Sequence, residues 1–313
     1  MSTSGSVDWN ATRDDIIKAA YRKVLVDEDF SPSTNQTNNA ALLLNGIVKS
    51  WTASLGIPLW ALGYGFILPV SGTYFATMGS GHVTTSYVNT TLSADSATND
   101  TTIDVTTVTG ISNTYYIGVE LDNGDMHWTT VNGAPAGNVV TLTTGVASAA
   151  SSGNNVYCYQ TKMSRPLRIL QAYTVQGTTT TSTSDIPARV VTTEEFLQLS
   201  NKSSEGYPLY VNYDPLITGV VRFWPRFSNG ERVIVIRYHR TLEDFDATGD
   251  TPDFPQEYFL PLVYELACAL APDYALSGEK YKILRHEADR WLNSVAQNDY
   301  EEGSIIFQPN RLY

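Results

Sequence analysis

Carboxylates are the residues of this chain whose spacing would admit chemistry. Glycoside hydrolysis needs two carboxyl groups about 5–10 Å apart across a sugar. Two sets qualify as candidates: Glu194 with Glu195, and Glu243 with Asp244 and Asp246. Each set also has a plainer reading. Adjacent acids at a helix start favour the positive end of the helix dipole, and Glu194-Glu195 follows Thr192 and Thr193, either of which can cap a short helix over 193–200. The second set belongs to an acidic run, Glu243, Asp244, Asp246, Asp250, Asp253 and Glu257, with no Lys or Arg among it. That run reads as a solvated loop or, more sharply, as a wall facing a negatively charged conduit.

The other catalytic patterns fail. A zinc site needs three or four converging nitrogen or sulfur ligands. His82, His127, His239 and His286 share no ligand spacing with one another or with Cys158 and Cys268. Both cysteines fall within apolar patterns and read as buried free thiols. Met78-Gly79-Ser80-Gly81-His82 lacks the Gly-Lys-Ser/Thr ending of a phosphate-cradling loop, and no helix pattern follows it, so it reads as a hinge. No Gly-x-Ser-x-Gly elbow occurs. The expectation is therefore no enzyme, no metal and no cofactor.

The 313 residues carry 42% hydrophobic and 17% charged side chains and a formal net charge of −12. The apolar fraction suffices for a sizeable core in one large or two smaller domains. The acidic balance argues against a protein that grips nucleic acid, because phosphate binding needs Lys and Arg. It is compatible with a surface that DNA slides past, since an acidic wall repels phosphate. Met1 to Asn10 is polar and does not resemble a secretory leader, and Ile57 to Val70 is too short to span a bilayer, so no membrane association is expected.

Four helix patterns position these groups. Arg13–Leu25 has Thr12 as cap and Asp14 and Asp15 in its first turn, with Ile16, Ile17, Ala20 and Val24 on one side. Gln36–Leu55 carries Leu43, Leu44, Ile47, Val48 and Trp51, and the two together read as a helical hairpin. Gln256–Leu270 and Glu279–Val295 read as a second hairpin, with Pro255 suited to a helix start and Pro272 and Ser277 marking the stop and the next cap. Between them lies a β-rich stretch. Leu59–Phe66 fits either a strand or irregular core. No Lys or Arg occurs between Lys49 and Lys162. Within that interval, 83–160 alternates in five short strands, 102–106, 115–121, 126–131, 139–142 and 155–159, with Asn123-Gly124 as a hairpin turn. It reads as an inserted barrel or sandwich hinged at Gly79–Gly81 and Ser164–Pro166, whose Tyr115, Tyr116, Trp128, Tyr157 and Tyr159 would serve a binding appendage or a core. Strands follow at 167–175, 207–213, 219–224 and 232–240.

The chain ends in Glu302-Gly303-Ser304-Ile305-Ile306-Phe307-Gln308-Pro309-Asn310-Arg311-Leu312-Tyr313. Four large apolar residues and a proline in so short a stretch make no core, so this tail is expected to dock on a partner.

The segment Pro255-Gln256-Glu257-Tyr258, Leu262-Val263-Tyr264-Glu265-Leu266-Ala267 and Leu270-Ala271-Pro272-Asp273-Tyr274 resembles one in the packaged-DNA stabilisation, or tail accessory, proteins of short-tailed phages. Val233–Arg240, Pro252–Pro255 and the two-helix start are similar too, so the resemblance covers 10–75 and 165–313; the insertion at 83–160 departs from it. The resemblance implies a structural head-to-tail adaptor of the virion, assembled in the host cytoplasm as a homo-oligomeric ring, typically twelve-fold, beneath the portal protein. Such a ring extends and closes the DNA channel, lets DNA pass without specific binding, and seats the tail nozzle or hub and the fibres or tailspikes. It further implies that Ile305, Ile306, Phe307, Pro309, Arg311, Leu312 and Tyr313 bind the portal, and that Glu243, Asp244, Asp246, Asp250 and Asp253 face the channel. The expected fold is α+β: a helical core of two hairpins with a small β element (1–82 and 161–298), the inserted all-β module (83–160) and an extended tail (299–313). A virion-borne peptidoglycan glycosidase using the carboxylates, and a carbohydrate- or protein-binding appendage built on the module, are the competing readings.

Overall fold

The computed structural model describes residues 10–27, 29–54, 59–176 and 185–297. In chain order the elements are α1 (Arg13–Leu25), α2 (Thr34–Ser54), β1 (Leu62–Ile67), β2 (Phe75–Thr77), β3 (Val83–Thr84), β4 (Val88–Thr91), β5 (Thr102–Asp104), β6 (Tyr116–Glu120), β7 (Met126–Thr130), β8 (Val139–Thr141) and β9 (Asn155–Tyr159). They continue with β10 (Arg168–Gln176), β11 (Ile186–Val191), α3 (Thr193–Gln198), β12 (Glu205–Gly206), β13 (Tyr210–Asp214), β14 (Val220–Trp224), β15 (Arg226–Phe227), β16 (Arg232–His239), α4 (Phe259–Leu270) and α5 (Gly278–Ala296). The fold is α+β with an all-β module. Two compact units are formed, Met1–Leu62 with Thr241–Tyr313, and Gly63–Arg240. The module expected at 83–160 lies inside the second, but Val83 and Thr84 belong to the large sheet as β3, so the module's own strands begin at β4.

The first unit is helical. Thr12 starts α1 through a reciprocal capping box with Asp15: the Asp15 amide donates to the Thr12 hydroxyl at 3.3 Å and the Thr12 amide donates to the Asp15 carboxylate at 3.1 Å. Two orphan amides are thereby satisfied at the positive helix end. Ile16, Ile17, Ala20, Tyr21 and Val24 then face inward at helical spacing. The centre of the unit is α4, which packs against α1, α2 and α5. Its Leu262, Val263, Leu266, Ala267 and Leu270 are fully buried. α5 lies at the periphery, with only Leu284 and Ala288 buried, and Arg285 ties it to Glu265 of α4 at 2.9 Å. Pro255 precedes a single 3-10 turn at Gln256–Tyr258 before α4 begins, and Ser277 occupies the cap of α5 without a side-chain bond to it. Trp51, Trp60, Phe254 and Tyr258 interlock in tilted and edge-to-face contacts at centroid distances of 5.3–6.3 Å.

The second unit corrects an expectation: its β part is not small. Eight strands form one sheet in the order β2-β14-β13-β11-β10-β16-β1-β3. Its two end strands, β2 and β3, are consecutive in sequence. The turn between them ties back to the sheet, with the Met78 amide donating to the Gly219 carbonyl at 3.0 Å and the Gly79 amide to that of Met163 at 2.9 Å. The sheet thus curls nearly closed around Ile67, Val83, Ile169, Val211, Val221, Phe223, Ile234 and Ile236. Strands β2, β3, β4, β11, β12 and β15 were not foreseen. Five are only two to four residues long, and β11 contains Pro187 and pairs in parallel with β13 across α3.

Inside the module, β4-β9-β6-β7 form a four-stranded sheet and β5 pairs with β8. Alternate residues, among them Leu92, Ile103, Val105, Ile117, Val119, Val140, Leu142 and Val156, make its core. Gly124, at φ +84°, closes the β6–β7 hairpin as Asn-Gly predicts. The outward threonines pair by hydroxyl bonds, Thr91 with Thr106 at 2.9 Å and Thr130 with Thr143 at 2.8 Å.

Leu266 sits on the central helix with no solvent exposure. Leu266→Ala is expected to lower the unfolding free energy by about 2–5 kcal/mol, read as a reduced urea midpoint at unchanged slope.

Candidate functional site

The acidic run at 243–253 is a built loop. Leu242 and Phe245 bury their side chains, and Asn45 of α2 brackets Phe245 from both sides, accepting from its amide at 2.9 Å and donating to its carbonyl at 3.3 Å. Asp250 accepts from the amides of Asp246 and Ala247 at 2.7 and 2.6 Å, and Asp253 accepts from that of Glu243 at 3.2 Å. Asp244 pairs with Lys49 of α2 at 2.7 Å, and Lys49 also donates to the Leu242 carbonyl at 2.5 Å. Asp244, Asp250 and Asp253 are therefore occupied in holding the loop. Glu243 and Asp246 are exposed, and among the described residues their carboxylates have no partner. Lys49, 194 residues upstream of the start of the run at Glu243, was invisible to a local reading of charge.

Of the other carboxylate candidates, Glu194 is exposed and Glu195 is engaged locally. Glu195 closes a capping box with Thr192 and pairs with Arg189 at 3.1 Å. The Thr192 amide and hydroxyl hold its pKa below the usual carboxylate value, opposite to what a general acid requires. No group of three or more His, Cys, Asp or Glu side chains converges as a metal site among the described residues. Cys158 and Cys268 are buried free thiols, pushed up by burial to about 12 and about 11. No described helix is long and apolar enough to cross a membrane. Ile305, Ile306, Phe307, Pro309, Arg311, Leu312 and Tyr313 lie outside the described residues.

The module is not hinged as its flanking glycines suggested. It shares a core with the barrel, in which Leu68, Val175, Val233 and Val235 meet Met126, Tyr157 and Tyr159. Four hydrogen bonds reinforce this seam. The Trp128 indole donates to the Pro69 carbonyl at 2.9 Å, the Met126 amide to the Ser71 hydroxyl at 2.5 Å, the Tyr157 hydroxyl to the Gly230 carbonyl at 2.5 Å, and the Gly230 amide to Glu120 at 2.9 Å.

The seam also consumes the aromatics considered for an external ligand. His82 stacks on Trp128 with centroids 3.9 Å apart and 14° between planes. Trp128 lies over its cross-strand partner Gly118 so closely that a Cβ there would sit 2.7 Å from the indole. Tyr116 stacks on Tyr159 at 5.0 Å, and the Lys162 ammonium lies 4.6 Å from the Tyr116 ring centre. Tyr157 is fully buried, and Tyr115 packs on the module core. Alternation placed these rings on strands correctly but gave no sign that a second sheet covers them. His82, read as part of a glycine hinge, is instead packed against the seam residues Trp128 and Tyr159. Its Nδ1 lies 3.0 Å from the Tyr159 hydroxyl.

A scan against protein families finds no match, and a search of curated proteins finds none. Among solved structures, the chain is similar to the Gp54 tailspike of Acinetobacter baumannii bacteriophage AP22 in complex with A. baumannii capsular saccharide. The identity is 14% and the TM-score 0.21, over 24% of this chain and 15% of that one. The match thus spans less than a sixth of the tailspike, and a score of this size does not establish a shared fold.

Burial, with the nearby Lys162 charge, lowers the His82 pKa from 6.5 to about 4. The unfolded chain therefore binds a proton that the folded chain refuses between those values. The stabilisation is complete above about pH 6.5 and is lost as pH falls toward 4, amounting to about 3 kcal/mol in full. His82→Phe, which keeps a ring on Trp128, is expected to flatten that part of the stability–pH curve in urea titrations. His239 also has a lowered pKa, through burial and then Arg168 and Arg240, so the difference between the two proteins isolates His82.

Proposed function

We propose that this chain is a structural virion protein of a short-tailed phage, a head-to-tail adaptor that docks on the portal and seats tail parts. The observation that carries the reading is the place of the segment 255–274 in the fold. The residues on which the resemblance rests, Leu262, Leu266, Ala267 and Leu270, are the buried face of α4, around which α1, α2 and α5 pack. The pattern therefore specifies the framework of the helical unit and not a surface coincidence.

The ring, its twelve-fold order, the DNA channel and the tail nozzle or fibres as neighbours belong to this proposal. Glu243 and Asp246 suit a channel wall because their carboxylates stay exposed while the rest of the acidic run is tied down. The portal contact is assigned to the apolar tail, Ile305 to Tyr313. The glycosidase reading is weakened by the role of Glu195 in its capping box, and the appendage reading by the buried aromatics of the module.

Purified portal rings mixed with the full chain should co-sediment with it. Removal of Ser304–Tyr313 should abolish co-sedimentation by at least an order of magnitude in affinity while leaving the melting of the protein unchanged. Full-strength binding by the truncated chain would contradict the assignment of the tail.

A further inference from the structure

The chain as a whole is acidic, but its charge is unevenly spread. Residues 83–160 contain six Asp and Glu and no Lys or Arg, whereas 161–240 contain ten Lys and Arg against six Asp and Glu, a net of +4. Most of those cations are spent internally. Arg189, Arg222 and Arg226 pair with Glu195, Asp214 and Glu205, Lys202 caps α3 through the carbonyls of Phe196 and Leu199, and Arg165 donates to the Pro215 carbonyl at 3.1 Å. Two differ. Among the described residues, the guanidinium groups of Arg168 and Arg237 make no hydrogen bond and no ion pair.

Strand register places both on one face of the sheet. In the β10–β16 pair, Tyr173 faces Val235, Gln171 faces Arg237, and Arg168 faces His239, with a bulge between Ile169 and Gln171. Directly paired residues point to the same side of a sheet. The intervening Ile169, Ala172, Ile236 and Tyr238 belong to the barrel core. The face carrying Arg168, Gln171 and Arg237 is therefore the outer one. The adjoining strand β1 presents Tyr64 on it, because Gly63 and Gly65 turn inward against Tyr238 and Ile236. The module covers one end of this outer face, over Val175, Val233 and Val235, and stops short of the other. There Tyr64 is 55% exposed, Gln171 and Arg168 are exposed, Arg237 and Tyr173 are half-buried, and His239, the cross-strand partner of Arg168, is buried. Burial raises the Tyr173 hydroxyl, with Tyr64 and Asp185, just before β11, adding to it. The proximity of Tyr64 and Tyr173 follows.

We propose that the exposed patch of the outer sheet face formed by Tyr64, Arg168, Gln171 and Arg237 is a binding site for single-stranded nucleic acid. An exposed ring flanked by unpaired arginines on a rigid sheet is the arrangement that stacks a base and holds the phosphates beside it. Arg168 and Arg237 supply the phosphate contacts, Tyr64 the stacking surface, and Gln171 a donor and acceptor for a base edge. With two phosphate contacts on a protein of charge −12, the binding is weak at physiological salt and steeply salt-dependent. The site goes beyond the adaptor reading, in which DNA passes without being held, and does not depend on it.

The test is fluorescence anisotropy of a labelled oligothymidylate titrated with the full chain at low salt. Saturable binding is expected, with log affinity falling against log salt at a slope of about −1.4. Arg237→Gln or Arg168→Gln should reduce the slope by about 0.7, and Tyr64→Ala should weaken binding about ten-fold. Arg189→Gln, which removes a cation already paired elsewhere, should leave binding unchanged. Any of four results would overturn the proposal: no saturable binding, equal loss in Arg189→Gln, unchanged single-strand binding in Tyr64→Ala, or equally tight binding of duplex by the unmodified protein. Equal displacement of the strand by polyglutamate would count against it too.

Discussion

The two-sided burial of β16 is the constraint on which the β unit depends. Its residues alternate between two cores. Ile234, Ile236 and Tyr238 point into the barrel, while Val233 and Val235 point into the seam with the module. A strand covered on both faces loses the alternation of a surface strand and reads as a continuous apolar run, as 233–236 does. Burying both faces removes several large apolar side chains from water at once, each worth about 1.5–3 kcal/mol, and it does so only if the module is seated. The bonds of Gly230 to Tyr157 and Glu120 fix that seating at the entry of the same strand.

Seating also decides what the module can do. A Lys- and Arg-free insertion rich in aromatic residues suggests a mobile binding appendage, but its rings serve as the adhesive between two sheets. Gly118 shows how closely this is fitted, since the cross-strand indole of Trp128 leaves no room for a side chain there. His82 belongs to the same packing and is held neutral by it. The module is thus a rigid extension of the barrel, which suits a part that transmits position within an assembly. Where it stops, the sheet face of Arg168, Gln171, Arg237 and Tyr64 begins.

The helices were legible in the sequence because their signals are local. In the helical unit Thr12 caps α1 with Asp15, in the β unit Thr192 caps α3 with Glu195, and the apolar spacing of α1, α4 and α5 follows the helical period. The extent of the sheet was not legible. β2 and β3 are too short to show a period, β11 holds a proline, and the order of the strands departs from their order in the chain. Burial of rings by a distant strand leaves no local trace either, so Trp128 and Tyr159 were equally compatible with a ligand face. In the acidic run, local charge identified the exposed Glu243 and Asp246, but the neutralising Lys49 and the bracketing Asn45 come from α2, far away in sequence.

The proposed seating of this chain on the portal is tested most directly by electron microscopy of isolated portal rings with and without the protein. An adaptor would add a ring of density at one end of the portal, with the symmetry of the portal or a simple multiple of it. Portal particles unchanged by a saturating excess of the folded protein would contradict the proposal.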